Sequence, residues 1–505
     1  MRRSGWILGL GLTAAVAVGQ IPYGTGFATL PRQMPTLDSS GAWSGHSTHA
    51  FRVRGAPPST FGGLALSTAA YGPSLFSPIT IGVGPSELIA FLPMTSDAAG
   101  EATLPFPIPV LPSVNFAGAS FFSQAAFSDP TLPFGFSFTR ALASEVAVEP
   151  RVLVCSYSSL SSHKWFVLDP SSPTLSTVGT GSWPNPLPPA AAVFGAGERH
   201  AFVARTVYSP PNTIIDTVDM VTGTTSVAFV LPQYPIAALA YDPFNKMVWG
   251  YSEAANGTLA AISADPADPM FGTLQSLFTN LGTPQLTGMA IFPDRGRLFV
   301  VASAAPLMVE LDIDPYSSTY GTKVAQHAIP FGPTMTGVYG VAGTTAGNGQ
   351  LLLTIQGASP NFSEIARFDV TVGAFIDHNP ATPTIDAIGS MSSPPVAFAG
   401  SYASHIAVSG DGTHALVVGS YGTARLQSLT LDPRNPDAWG IATVNSSLGL
   451  GPILDVGFLP DPNLAVFTSH VNGRVTIFDV ATDTIVATRT LASVTGDPLH
   501  LCLGR

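Results

Sequence analysis

From about position 150 onward, apolar residues come in short runs of three or four, each flanked by Gly, Pro, Asn or Asp. The runs are Val152-Leu153-Val154, Ala201-Phe202-Val203, Met247-Val248-Trp249, Leu298-Phe299-Val300-Val301, Leu351-Leu352-Leu353, Ala415-Leu416-Val417-Val418 and Ala465-Val466-Phe467. Continuous apolar runs of this length, bounded by turn formers, read as buried strands. Tight turns precede three of them: Pro293-Asp294-Arg295-Gly296, Gly410-Asp411-Gly412 and Pro460-Asp461-Pro462-Asn463. Gly, Asn and Asp tolerate the positive φ that short hairpins demand. A further run in each unit closes on an aspartate, at Asp169, Asp219, Asp265, Asp314, Asp369, Asp432 and Asp479, successive members lying 46 to 63 residues apart. A period near 50 with four short strands per unit predicts a radial β-propeller. An Asp at a strand end accepts hydrogen bonds from the next turn's N–H groups, so these seven are expected to be structural.

The first unit begins at its second strand, residues 151–157, and one orphan strand, residues 498–503, follows the last unit. Pairing the two predicts an all-β fold in which a seven-bladed propeller spans residues 150–505 and its C-terminal strand closes the first blade. Antiparallel neighbours bring Cα atoms within about 4.5–5.5 Å, inside disulfide range. With Cys502 expected within about a residue of Cys155, the two cysteines are candidates for a disulfide; two buried thiols are the alternative.

Residues 49–149 carry another pattern, with Phe106, Phe116, Phe121, Phe122, Phe127, Phe134, Phe136 and Phe138 among many Pro and Gly. Residues 96–109 read as a turn and an edge-type strand, because Pro cannot donate to a ladder. Residues 120–127 and 134–138 read as half-buried strands, and the whole as a small β-sandwich-like domain. Residues 20–48 are polar and read as a linker or an added edge strand. Ahead of them, Arg2 and Arg3 precede an apolar stretch and small residues through Gly19, the three parts of a signal peptide over residues 1–19. The expectation is an exported chain, extracellular, on the cell surface or periplasmic, with no membrane span after cleavage.

Composition narrows the function classes. Of 505 residues only 10% are charged, 46% are hydrophobic, and the net charge is −11. That charge repels a phosphate backbone, so nucleic acid is excluded as a partner. The 50 Gly and 46 Pro fit a chain of many turns.

Two stretches carry a family resemblance. Phe458-Leu459-Pro460-Asp461 and residues 475–488 resemble a repeat of the surface-layer YVTN-type seven-bladed propellers. Ile406-Ala407-Val408-Ser409-Gly410-Asp411-Gly412 matches the start of the same repeat, and the other five units are degenerate. Asp97-x-x-Gly100-x-Ala102-Thr103-Leu104, Ile108-Pro109, the strand ending at Gln124 and Arg140-Ala141-Leu142 resemble a β-sandwich-like module recurrent in secreted bacterial proteins. That module has Ser-Asn where this chain has Thr139-Arg140. The resemblance implies an accessory, surface-attaching role for the module. Some similar propellers act as lactonases or bind redox cofactors through Arg, Glu or His in the channel, which makes Arg205, Arg297, Arg367 and Arg425 candidates.

Other chemistry is sparse. The ten histidines are scattered, without His-x-His or His-Glu-x-x-His spacing, so no preformed zinc motif is present. Glu310, Asp312 and Asp314 alternate, which places them on one strand face; their mutual repulsion would suit calcium, but no Asp-x-Asp-x-Asp-Gly loop accompanies them, so a solvent-facing strand is the first reading and no cofactor is expected. No Gly-x-Ser-x-Gly elbow occurs. The first expectation is therefore a non-catalytic, monomeric exported propeller that binds a glycan, protein or envelope partner. The alternative is a propeller enzyme, lactonase-like or metal-assisted, working at the channel mouth.

Overall fold

The structure is a computed structural model. It describes residues 20–23, 36–40, 48–68, 88–107, 120–132, 135–139 and 141–145, and residues 151–503 with breaks. The breaks are 157–162, 184–186, 209, 244, 283–285, 293–295, 303–306, 330–334, 345–348, 358–362, 378–384, 386–402, 410–412, 420–425, 432–439, 444–452, 460, 462, 470–472 and 492–498. The expected leader, 1–19, lies outside the described residues. Among those described, no helix is long and apolar enough to cross a membrane.

Each apolar run becomes the second strand of a four-stranded antiparallel sheet, buried on both faces. Leu298–Val301 shows why. Leu298 and Val300 pack toward the third sheet, while Phe299 and Val301 pack toward the fifth. A strand sandwiched between two neighbours has no polar side, so its sequence does not alternate. The outermost strands do alternate, as in Leu274–Thr279, because one face meets solvent.

Seven such sheets are present among the described residues of this part. The second to seventh begin at the inner strands Pro189–Phe194, Ile236–Asp242, Leu286–Phe292, Met335–Thr344, Ala403–Val408 and Ile453–Phe458, and continue outward in chain order. The first takes its inner strand, Leu499–Leu503, from the chain's end and adds Val152–Ser156, His163–Leu168 and Thr177–Trp183. Each inner strand packs against the inner strand of the next sheet, and Leu499–Leu503 packs against both Ile453–Phe458 and Pro189–Phe194, which closes a ring. This is an all-β propeller closed by its C-terminal strand.

The strand-end aspartates cap the turns. Asp169, Asp219, Asp265, Asp314, Asp369 and Asp479 each accept, through Oδ1, a backbone N–H two residues on, at 2.7–2.9 Å. Asp432 lies outside the described residues.

Ahead of the ring, a six-stranded sheet faces a three-stranded one. Phe51, Val53, Leu64, Leu66, Phe127 and Leu142 fill the space between them. Ala102–Pro107 is an edge strand of the smaller sheet, as its prolines require. The segment 20–48 contributes an edge strand to each sheet: Gln20–Tyr23 pairs with Ala141–Glu145, and Thr36–Ser40 with Thr48–Arg54.

Candidate functional site

Six of the seven inner strands slip register at the same place, one residue after their start. The slips fall at Pro189/Ala191, Ile236/Ala238, Leu286/Gly288, Met335/Gly337, Ala403/His405 and Ile453/Asp455. A bulge inserts one unpaired residue and re-aims the next side chain. Leu499–Leu503 pairs without a slip, and His500, opposite the penultimate residue Cys155 of its neighbour, holds the equivalent place. One tier of the ring thus reads Ala191, Ala238, Gly288, Gly337, His405, Asp455, His500. Four small residues follow one another, and then three titratable ones.

The direction of this tier follows from packing. Ala191 packs with the third sheet and Ala238 with the fourth, and a Cβ built on Gly288 would meet Val341 of the fifth. Each post-bulge residue looks toward the next inner strand. Ile406 and Val408 pack against the fifth sheet while Ala407 packs against the seventh, so alternation turns His405 toward the seventh. Val456 and Phe458 pack against the sixth, which turns Asp455 toward the first. His405 is 8% exposed and Asp455 2%. Asp455 Oδ1 accepts the Val456 N–H at 2.9 Å. His405 therefore faces the strand that carries Asp455, and Asp455 faces the strand that carries His500. His500 is placed by register.

The acidic strand expected to hold calcium is arranged otherwise. Arg297 Nε donates to Glu310 Oε1 at 3.1 Å and Nη1 lies 3.1 Å from Asp312 Oδ1. His327 Nε2 lies 3.2 Å from Glu310 Oε2. Ser317 and Thr319 hydroxyls donate to Asp312 Oδ2 at 2.6 and 2.5 Å. Asp314 caps its own turn. The bulge between Glu310 and Leu311 leaves Val324 of the neighbouring strand unpaired, so Glu310 and Asp312 keep the shared face and both meet Arg297. Burial pushes the Asp312 carboxyl up, but the two hydroxyls, the Asp314 N–H and Arg297 together hold it below the usual carboxylate range. Among the described residues, no group of three His, Cys, Asp or Glu side chains could hold a metal ion.

The cysteine expectation is corrected as well. The closing strand zips onto Val152–Ser156 as expected, but Cys502 stands opposite Leu153, and Cys155 opposite His500. This two-residue offset places the cysteines on a diagonal instead of directly across, where Cα atoms are ~7–8 Å apart, beyond usual bridging distance. Cys155 is a free, buried thiol. Burial, reinforced by the Asp216 charge, pushes it far above its ordinary value.

None of the described candidate arginines is on an inner strand. Arg205, on the second strand of the second sheet, forms a two-pronged pair with Asp216, and its guanidinium carbon lies 5.7 Å from the centroid of the Trp183 ring of the first sheet. Arg297 serves Glu310 and Asp312. Arg367 is buried on a third strand, on the face that Ile365 turns to the sixth sheet. Arg425 lies outside the described residues. His163, at the start of a third strand, is buried, and burial followed by the Arg205 charge lowers its pKa.

The tier itself was not visible in the sequence. In the sequence His405 and His500 are two of ten scattered histidines without ligand spacing, and no local motif marks Asp455. Aligning the units on their first strands, each a short run entered one residue after a break, is the signal that would have found them.

No protein-family model matches the chain, and no curated protein matches it in sequence. Solved structures do match in fold. A 6-phosphogluconolactonase-like protein of Bacteroides fragilis is similar with a TM-score of 0.52 at 12% identity, over 70% of this chain and 97% of that one. A related protein of Bacteroides uniformis matches with a TM-score of 0.50 at 12% identity, over 70% and 99%. A periplasmic gluconolactonase of Pseudomonas aeruginosa matches with a TM-score of 0.51 at 13% identity, over 70% and 98%. At this identity the likeness concerns the propeller fold alone.

Proposed function

We propose that the chain is an exported propeller enzyme of lactonase type, acting on a sugar lactone at the inner-strand tier of His405 and Asp455. The observation that carries this reading is the placement of a buried imidazole and a buried carboxylate on consecutive inner strands, beside four positions kept as Ala or Gly. In lactone hydrolysis the oxygen of water bonds to the carbonyl carbon and gives up a proton, the ring C–O bond breaks, and the ring oxygen takes a proton to leave a hydroxy acid. Such a step needs a group that binds and activates water, and imidazole and carboxylate side chains are the usual suppliers. The resemblance in fold to proteins named for gluconolactone hydrolysis supports the substrate class.

The test is hydrolysis of glucono-δ-lactone and related sugar lactones by the purified chain, followed in a pH-stat. The wild-type chain is expected to exceed the spontaneous rate. His405→Ala and Asp455→Asn are expected to lower it by about 10²-fold or more, with far-UV circular dichroism unchanged. A wild-type rate equal to the spontaneous one, or full activity in both variants, removes the lactonase reading.

A further inference from the structure

We infer that the outer face of the six-stranded sheet, in the domain ahead of the ring, binds a neutral polysaccharide chain. The inference is independent of the lactonase reading and of the inner-strand tier. Directly opposed residues of antiparallel strands point to the same side of a sheet. Gly63, Pro93 and Ala126 form one row across Phe61–Ser67, Leu88–Thr95 and Ser120–Ser128, and Ala65, Phe91 and Gln124 form the next. The alternate positions Leu64, Leu66, Met94, Ala125 and Phe127 fill the core, so these two rows look away from the smaller sheet. Phe61 lies on the same side of its strand as Gly63, and Phe136 of Phe136–Phe138 stands opposite Ser128.

Three aromatic rings rise from a floor of small residues. Phe61 is 64% exposed, Phe91 59% and Phe136 49%. Gly63 lets the Phe91 ring reach across from the neighbouring strand, since a Cβ there would overlap the tip of the ring. Apolar side chains left this open and close together mark a surface that a ligand or partner covers.

Charge and area select the occupant. Among the described residues that these pairings place on the face, none is charged, and the chain as a whole carries −11. An anionic bilayer or an acidic polymer is repelled by such a chain, and the face offers a cationic partner nothing to pair with. Four strands about 4.8 Å apart, the length of Phe61–Ser67, cover about 400 Å². That is about half of the ~800 Å² per partner in a stable protein interface, so a second copy gains too little here. The free edge, Leu88–Thr95, carries Pro93 and a register slip, which blunt strand addition. A neutral sugar chain meets each condition. Its C–H hydrogens are faintly positive and settle on the negative faces of aromatic rings. It is narrow enough for the face, and the exposed Thr95, opposite Phe61, and Ser128, opposite Phe136, supply hydroxyls beside the rings.

The experiment uses the full chain, with retention measured on amorphous cellulose and on chitin, and mobility in gels containing hydroxyethyl cellulose. The wild type is expected to be retained on at least one of them. Phe61→Ser, Phe91→Ser and Phe136→Ser are each expected to weaken retention about 2- to 10-fold, and the triple variant to lose it, with far-UV circular dichroism and lactone hydrolysis unchanged. Val372→Ser, which removes an apolar side chain 74% exposed on the ring, is expected to bind as the wild type does. Should the triple variant fail to fold, the single variants carry the test. No retention of the wild type on any of the three polysaccharides overturns the site, and so does undiminished retention of all the variants. A dimer in sedimentation velocity that the triple variant dissociates assigns the face to a second copy and overturns the polysaccharide. Pelleting with phosphatidylcholine vesicles, lost in the triple variant, assigns it to lipid and overturns the polysaccharide too. Retention without lactone hydrolysis supports the site and removes the lactonase reading alone.

Discussion

Arg205 and Asp216 are both almost fully buried, and the guanidinium gives Asp216 two hydrogen bonds while lying over Trp183. Burial pushes the Asp216 carboxyl up, and the Arg205 bonds pull against it. Removing one partner leaves a charge buried alone, so Arg205→Met is expected to cost about 3–5 kcal/mol in urea unfolding. Arg205→Met with Asp216→Leu is expected to regain most of that loss; a double variant no better than the single one would mean that packing on Trp183, not the charge, is what matters. The histidines act in the other direction. Burial lowers His163, with Arg205 adding to it, and burial also lowers His200 despite the opposing pull of Asp219. Below the ordinary value of 6.5 the unfolded chain therefore binds protons that the folded chain resists. Stability is full above that pH and falls as pH drops through the window beneath it. His163→Gln should flatten the thermal midpoint between pH 7 and 5, and an unchanged slope would show that His163 stays neutral in both states.

At the scale of elements, the repeating device is the turn between third and fourth strands. Asp219 Oδ1 takes the N–H groups of Val221 and Thr222 at 2.9 and 3.0 Å, and Gly223 ends the turn with φ +64°. A Cβ on Gly223 would stand 2.8 Å from the Gly179 Cα of the first sheet. Glycine is required there twice over, by conformation and by the approach of another backbone. Asp219→Ala is expected to lose about 2 kcal/mol through its charge-assisted bonds, and Gly223→Ala about 1–3 kcal/mol, both read by chemical denaturation. This turn was legible in the sequence because Asp and Gly perform it through local chemistry alone. The inner-strand bulges were not legible. They involve Ala, Thr, Ser and Leu with no common residue, because the bulge is imposed by where the strand must bend toward its neighbours and not by the preference of one side chain.

At the scale of the molecule, the ring depends on its last strand. Without residues 499–505, Val152–Ser156 becomes a raw edge, and the seventh sheet loses the strand that joins it to the second. That truncation is expected to lower the thermal midpoint and to speed proteolysis within the first sheet. A truncated chain as resistant as the whole would show that the ring is held by side-chain packing without the zip. The same closure explains the corrected cysteines. The existence of the pairing followed from the missing and orphan strands, but its register, with Cys502 opposite Leu153 and Cys155 opposite His500, did not, because the count of strands fixes which two pair and not where along their length they meet.

The amino-acid sequence by itself determined the strands, the capped turns, the seven units and the joining of the chain's ends, since each rests on local periodicity or on counting. Tertiary structure alone decided which residues share a tier. Glu310 and Asp312 direct their charge to Arg297, His327 and hydroxyls and Asp314 caps its own turn, whereas His405, Asp455 and His500, spread over almost a hundred residues, come to one level. A closed ring makes this difference: it brings every fiftieth residue or so to the same height, so proximity follows the period of the fold and not distance along the chain.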